Sequence, residues 1–221
     1  MNSFDCLIVC AHPDDAFLGM GGTIHKLTQK KKHILIVCAT NGENGDANHG
    51  EIRKKELACS CNMLGCEFLM LQMKDGELYY HEYELYLSIA DLLIQNNPQY
   101  IFTHHSMDRH SDHLAVYTAV HRATEKLWHT YKQETRLKAL LSFLPIHLSL
   151  DNISGLLVNR WVAINASKCK FLMPHQSQMP YLESNIKKHM ALNQYLGVLT
   201  GTEMAEGFWL EGPNVSEMLD F

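Results

Sequence analysis

The chain has 221 residues, 46% of them hydrophobic and 19% charged, with a formal net charge of -5 at pH 7. That composition excludes disorder, collagen and coiled coil, and the length supports the core of one domain, expected over residues 1–221. The acidic balance argues against a nucleic-acid partner, and no stretch is apolar for long enough to span a bilayer.

The first residues, Met1 to Asp5, have no cationic region and no long apolar stretch after them, so a cytoplasmic protein without a signal peptide is expected. The seven cysteines form an odd set, several inside apolar runs, which suits reduced thiols better than a disulfide framework. In chain order, an apolar run over 5–10 leads into Ala11-His12-Pro13-Asp14-Asp15, and helix-spaced apolar residues then cover 17–30. A second strand is expected over 33–39, followed by a polar loop over 41–50 that reads as a flap or a solvated connection. Helix over 51–64, strand over 68–72 and helix over 82–96 follow, the last stopped by Asn97-Pro98. A fourth strand over 100–103 runs into His104-His105-Ser106-Met107-Asp108-Arg109-His110-Ser111-Asp112-His113 and another helix. Beyond that point strands over 137–143 and 161–164 and a helix over 181–197 are expected. Strands alternating with helices predict parallel βαβ units, and so an α/β fold on a mostly parallel sheet.

Open parallel sheets bind ligands beyond the carboxyl ends of their strands. The clusters at 12–15 and 104–113 both follow strands, so they are expected at one sheet edge although about a hundred residues separate them. His12, Asp15 and His113 could supply two imidazoles and one carboxylate to a catalytic divalent ion with a position left open. Asp14, on the same turn, could take a proton from water. His110 lies one helical turn from His113 and could face the same pocket, and Asp112 could fix an imidazole tautomer. The plainer alternatives are an ordinary Pro-Asp turn and a capped helix start; it is the two clusters together that favour a metal site. Gly19, Gly21 and Gly22 lack dinucleotide spacing and read as close helix–sheet packing. Cys59, Cys61 and Cys66 read as ordinary thiols. His104 and His105 are expected near the pocket without an assigned role, and the remaining histidines as surface or lightly packed.

Ala11 to Asp15, Gly19-Met20-Gly21-Gly22-Thr23-Ile24 and Asp108 to His113 resemble the PIG-L/LmbE-like zinc-dependent N-acetylglucosaminyl deacetylases. Arg53 within Glu51-Ile52-Arg53-Lys54-Lys55-Glu56, His175-Gln176-Ser177-Gln178 and Ala205-Glu206-Gly207-Phe208 extend the likeness nearly to the end of the chain. The resemblance implies a Rossmann-like α/β fold with helices on both faces of the sheet, zinc on His12, Asp15 and His113, Asp14 as general base, and His110 on the oxyanion with Asp112 behind it. It also implies Arg53 against the sugar or the acetate. The expected substrate is a small N-acetylated amino sugar or glycoside, with iron(II) or cobalt(II) suiting the same donors. Bacterial members are often oligomeric, which adds a homo-oligomer to the expectations. Ala16, Ser111 and Met204 depart from the family pattern, where glutamate, proline and tyrosine are usual. The last two motivate the alternative of a zinc- and sugar-binding protein without hydrolytic activity.

Overall fold

Alternate residues of the first strand feed two different cores. In the computed structural model, which describes residues 3–44, 47–147, 158–165 and 168–211, Cys6, Ile8 and Cys10 of β1 (Cys6–Cys10) pack with α1 (Asp15–Gln29) and α2 (Ala47–Leu64). Leu7 and Val9 pack on the opposite face with α3 (Glu82–Asn96) and α4 (Ser111–Tyr131). A strand buried on both faces has no polar side to show, which is why it reads as a continuous apolar run.

The other strands are β2 (Ile34–Thr40), β3 (Glu67–Met73), β4 (Tyr100–Thr103), β5 (Ala139–Phe143), β6 (Arg160–Ala163) and β7 (Ala205–Glu211). They form one sheet in the order β3-β2-β1-β4-β5-β7-β6. β1 to β5 pair in parallel, with Ile8 opposite both Ile36 and Phe102, while β7 runs antiparallel between β5 and β6. The mostly parallel α/β sheet with helices on both faces agrees with the expectation. The strand order reverses direction between β1 and β4, the switch point at which such sheets open a crevice.

Two elements differ from the sequence reading. α2 starts at Ala47, so the loop after β2 is shorter than 41–50. Its residues up to Asn44 are tied down, with Gly42 N–H donating to Thr40 Oγ1 and Asn44 N–H to Asp75 Oδ2. β7 was not expected as a strand. After the short α5 (Cys169–Leu172), residues 176–178 form a 3₁₀ turn into α6 (Met179–Thr200). Close packing explains the glycines of α1: a Cβ on Gly19 would stand 2.6 Å from the Phe143 ring, and one on Gly22 would stand 2.8 Å from Ile164. None of the seven cysteines is in a disulfide.

His189 of α6 is buried rather than on the surface, and its Nε2 lies 3.3 Å from the Ile146 carbonyl, bracing the loop after β5 that lines the cleft. Burial, with Lys168 adding to it, pushes its pKa from 6.5 down to about 3. The folded state therefore favours the neutral ring, and its stabilisation is complete above about pH 6.5 and is lost as pH falls towards about 3. In that window one such proton contributes a slope approaching about 1.4 kcal/mol per pH unit. Urea unfolding of wild type and His189→Gln at about pH 7 and pH 5 should show a smaller acid loss in the variant. Equal losses would remove this residue from the pH dependence.

Candidate active site

The chain turns sharply after β1 because Pro13 cannot continue a ladder. Asp14 then caps α1, its carbonyl accepting from Leu18 N–H, and Asp15 opens the helix. The Asp15 carboxylate folds back, Oδ2 accepting the His12 backbone N–H at 2.8 Å. On the far side of the switch point, His110 caps α4 with its ring Nδ1 accepting from Asp112 N–H at 3.2 Å, and His113 follows one turn later. The rings of His110 and His113 stack with centroids 4.6 Å apart.

These turns bring His12, Asp15 and His113 together. His12 Nδ1 and His113 Nε2 are 3.2 Å apart, and each is 3.4 Å from Asp15 Oδ2. Donors about 2.0–2.1 Å from a tetrahedral ion stand about 3.3–3.4 Å from one another, so the triangle has the dimensions of one face of such a site. The outer nitrogens set the tautomers. His12 Nε2 lies 3.0 Å from Asp75 Oδ1 and 3.6 Å from Asp112 Oδ2, and His113 Nδ1 lies 3.0 Å from Asp108 Oδ2. Facing carboxylates, those outer nitrogens carry the protons, so the inner nitrogens of both neutral rings present lone pairs towards the Asp15 oxygen. Three convergent lone pairs call for a cation, and the donor set fits a divalent transition ion.

The surrounding carboxylates favour positive charge at this point, carried by a proton on His12 or by an ion on the donors. Burial opposes charge on His12, yet the carboxylates of Asp112, Asp15 and Asp75 hold its pKa well above the usual value. Burial likewise opposes charge on Asp15, and His113, His104 and His12 hold its carboxyl well below the usual range. His110 moves the other way, burial and the neighbouring His113 and His12 pushing it down to about 4. It is therefore a neutral ring near pH 7. With Nδ1 accepting a backbone N–H, its proton sits on Nε2.

Asp14 lines the cleft beside the three donors, its Oδ1 gripped by Arg53 Nη2 at 2.8 Å. Arg53 also donates from Nη1 to the Gly42 carbonyl at 3.0 Å. The resemblance places this arginine against sugar or acetate; it lines the cleft, and its terminal nitrogens also hold the Asp14 carboxylate and the loop after β2. The Asp112 carboxylate lies within 4.8 Å of a His110 ring nitrogen and also braces the neighbouring turn. It accepts from Gly76 N–H at 2.8 Å and Leu78 N–H at 3.3 Å, fixing the turn that carries Asp75. The Asp112 backbone N–H also donates to the His110 ring.

Neither His104 nor His105 lines the cleft. His104 stacks under His113 at 4.0 Å, its Nε2 accepting from Ala11 N–H at 3.0 Å, and His105 Nδ1 accepts from Met107 N–H. His147 lines the opening and stacks on His110 at 5.5 Å. The sequence reading gave no role to Asp75, Asp108 or His147. Asp75 follows β3 at the same sheet edge, the one signal that could have found it. Asp108 does three things at once: besides facing His113 it accepts from His110 N–H and Ile146 N–H. The His175 motif ties α6 to α2, with His175 Nε2 donating to Ser60 Oγ and Ser177 donating twice to Glu56. Met204 packs against the main core and does not line the cleft.

The cleft over this site has a volume of about 490 Å³, within the range of small-molecule pockets. No helix among the described residues is long and apolar enough to cross a membrane. Known proteins share this arrangement of chain. The conserved protein TT1542 from Thermus thermophilus superposes with a TM-score of 0.80 at 25% identity over 97% of both chains. YaiS of Escherichia coli K12, an uncharacterized deacetylase, is 32% identical over 63% of this chain and 77% of its own. A probable N-acetyl-alpha-D-glucosaminyl L-malate deacetylase 2 of Bacillus cereus is 33% identical over 55% of this chain and 61% of its own. The family model described as PIG-L, GlcNAc-PI de-N-acetylase, matches residues 7–124, more than half of the sequence and the whole span from β1 into α4 that builds the donor triangle, and the chain belongs to that family.

Proposed function

We propose that the protein is a metal-dependent N-deacetylase that hydrolyses the N-acetyl group of an N-acetylglucosamine-type sugar or glycoside to acetate and a free amine. The observation that carries this reading is the triangle of His12, Asp15 and His113 with a separate carboxylate, Asp14, on the cleft wall beside it. A binding protein needs no such extra carboxylate. The three donors would hold zinc, with iron(II) or cobalt(II) also suited, and the ion would polarise the acetyl carbonyl and acidify water. Asp14 takes the proton of the attacking water and returns it to the departing amine. The Nε2–H of His110 donates to the acetyl oxygen as charge gathers there. Arg53 holds the Asp14 carboxylate in place, and Asp75, Asp108 and Asp112 keep the ligand rings and their turns oriented. Acetate release from N-acetylglucosamine and its glycosides by the zinc-loaded protein tests this; no release from any of them, with metal bound, would overturn it. The family resemblance also supports a homo-oligomeric protein acting on a small sugar, and the free cysteines suit the reducing cytoplasm.

Asp108→Asn should leave all three donors in place but weaken the hold on His113. Losses of about 10–100-fold in metal affinity are typical when such outer partners change. Competition with a chromophoric chelator measures this directly, and unchanged affinity would show that Asp108 serves the loop after β5 rather than the ligand ring.

A further inference from the structure

The wall of the cleft away from the metal donors has a different chemistry. It is built from the first turn of α2 and the start of α6. His49 and Gln178 are joined by a 2.7 Å hydrogen bond between their Nε2 atoms, and Tyr181, Leu182 and Asn185 follow on the same face of α6. The Asn185 amide has no protein partner among the described residues, and Tyr181 is 76% exposed. These are neutral hydrogen-bonding groups with one amphipathic ring, suited to hydroxyls and to the apolar face of a sugar.

Among the described lining residues, positive charge available to an anionic group is scarce. Arg53 is the sole lysine or arginine among the described lining residues. Its charge is already paired with Asp14, Nη1 holds Gly42, and its Nε is buried without a partner, so that nitrogen is out of contact with the open cleft. Residues 45–46, 148–157, 166–167 and 212–221 contain no lysine, arginine or histidine. Against Arg53 stand the carboxylates of Asp14, Asp15 and Asp75, so a divalent ion on the donors brings the lining to neutrality and no further. A carboxylate or phosphate beside the amino sugar would lose water here without gaining a cationic partner.

We infer that the His49–Gln178–Asn185 wall is a subsite for a neutral glycosyl unit, and that the preferred substrate is an uncharged N-acetylated glycoside rather than one whose neighbouring group is anionic. This rests on the deacetylase reading for the chemistry at the donors, but the subsite can be tested by binding alone. Calorimetry on metal-loaded Asp14→Asn compares N,N'-diacetylchitobiose with N-acetylglucosaminyl malate and N-acetylglucosamine 1-phosphate. The variant removes one negative charge, which biases the comparison against the proposal. The neutral disaccharide should bind about tenfold tighter than either anion, a difference of about 1.4 kcal/mol. Adding Asn185→Leu and Gln178→Leu should weaken the disaccharide by about tenfold while leaving monosaccharide binding unchanged. Equal or tighter binding of an anion, or equal weakening of mono- and disaccharide, would overturn the subsite. Acetate release from the same compounds by the wild type answers the other question. The expected binding order without release removes the deacetylase reading and keeps the subsite, and release with an anionic preference does the reverse.

Discussion

Replacing Asp14 with asparagine should cut acetate release by roughly 10²–10⁴-fold, the usual contribution of a positioned acid–base group, while the bound metal stays at its wild-type stoichiometry. The two halves of that expectation come from different parts of the geometry. Asp14 contributes no atom to the His12–Asp15–His113 triangle, whose edges of 3.2 Å and 3.4 Å are set by its neighbours. Asparagine keeps the shape and still offers an oxygen to Arg53 Nη2, so the cap of α1 and the turn that places Asp15 survive. What it lacks is the ability to accept a proton from water and pass it to the amine. Paired measurement of turnover and metal content by emission spectroscopy separates the outcomes. Loss of metal together with activity would make Asp14 part of the ion's binding. Undiminished activity would hand the proton to another group in the cleft, for which His147 is placed on the open side.

The features legible in the sequence were those that a local signal could carry. β1, β2 and β4 are buried on both faces, so nothing interrupts their apolar runs. The donor triad was legible because two acid-and-histidine clusters each follow such a run, and the parallel topology puts strand ends on one edge. The start of α2 was not legible. Ala47-Asn48-His49-Gly50 is polar and contains glycine, so it reads as loop, and the reading lost His49 from the cleft wall with it. Propensity is a weak guide where tertiary contacts decide, and here the Gln178 hydrogen bond to His49 comes from the other end of the chain. Asp75 and Asp108 failed for another reason. A single aspartate after a strand is ordinary turn chemistry, and what distinguishes these two is a ring nitrogen 3.0 Å away on a different element. β7 was missed because Glu206 and Gly207 interrupt its pattern, and a charge in a strand is read as facing solvent.

Glu206→Ala should destabilise the fold by about 3–5 kcal/mol, the usual cost of removing one partner from a buried ion pair. α1 is not continuous: Met20 leaves helical geometry at φ -149° and ψ 29°, so backbone groups on either side of the break lose their helical partners. Glu206 supplies one set. Its carboxylate oxygens accept from Gly22 N–H at 3.0 Å and Thr23 N–H at 2.7 Å, where the helix restarts and its N-terminal dipole favours negative charge. Lys168 supplies the other, donating to the Leu18 carbonyl at 2.7 Å and lying 3.2 Å from Glu206. Both side chains are buried, at 0% and 1% exposure, so water cannot replace either one. Alanine would strand the Lys168 charge and two N–H groups together. Replacing Lys168 with methionine in the alanine background should cost less than the sum of the two single changes, because the stranded charge goes with it. Urea unfolding of the two single variants and the double measures that coupling, and simple additivity would show the pair to be independent. The consequence reaches the site, since the first half of α1 carries Asp15 and packs Gly19 under Phe143. Loosening the break frees that half-helix from the sheet, so metal affinity should fall in Glu206→Ala even though the mutation touches no donor.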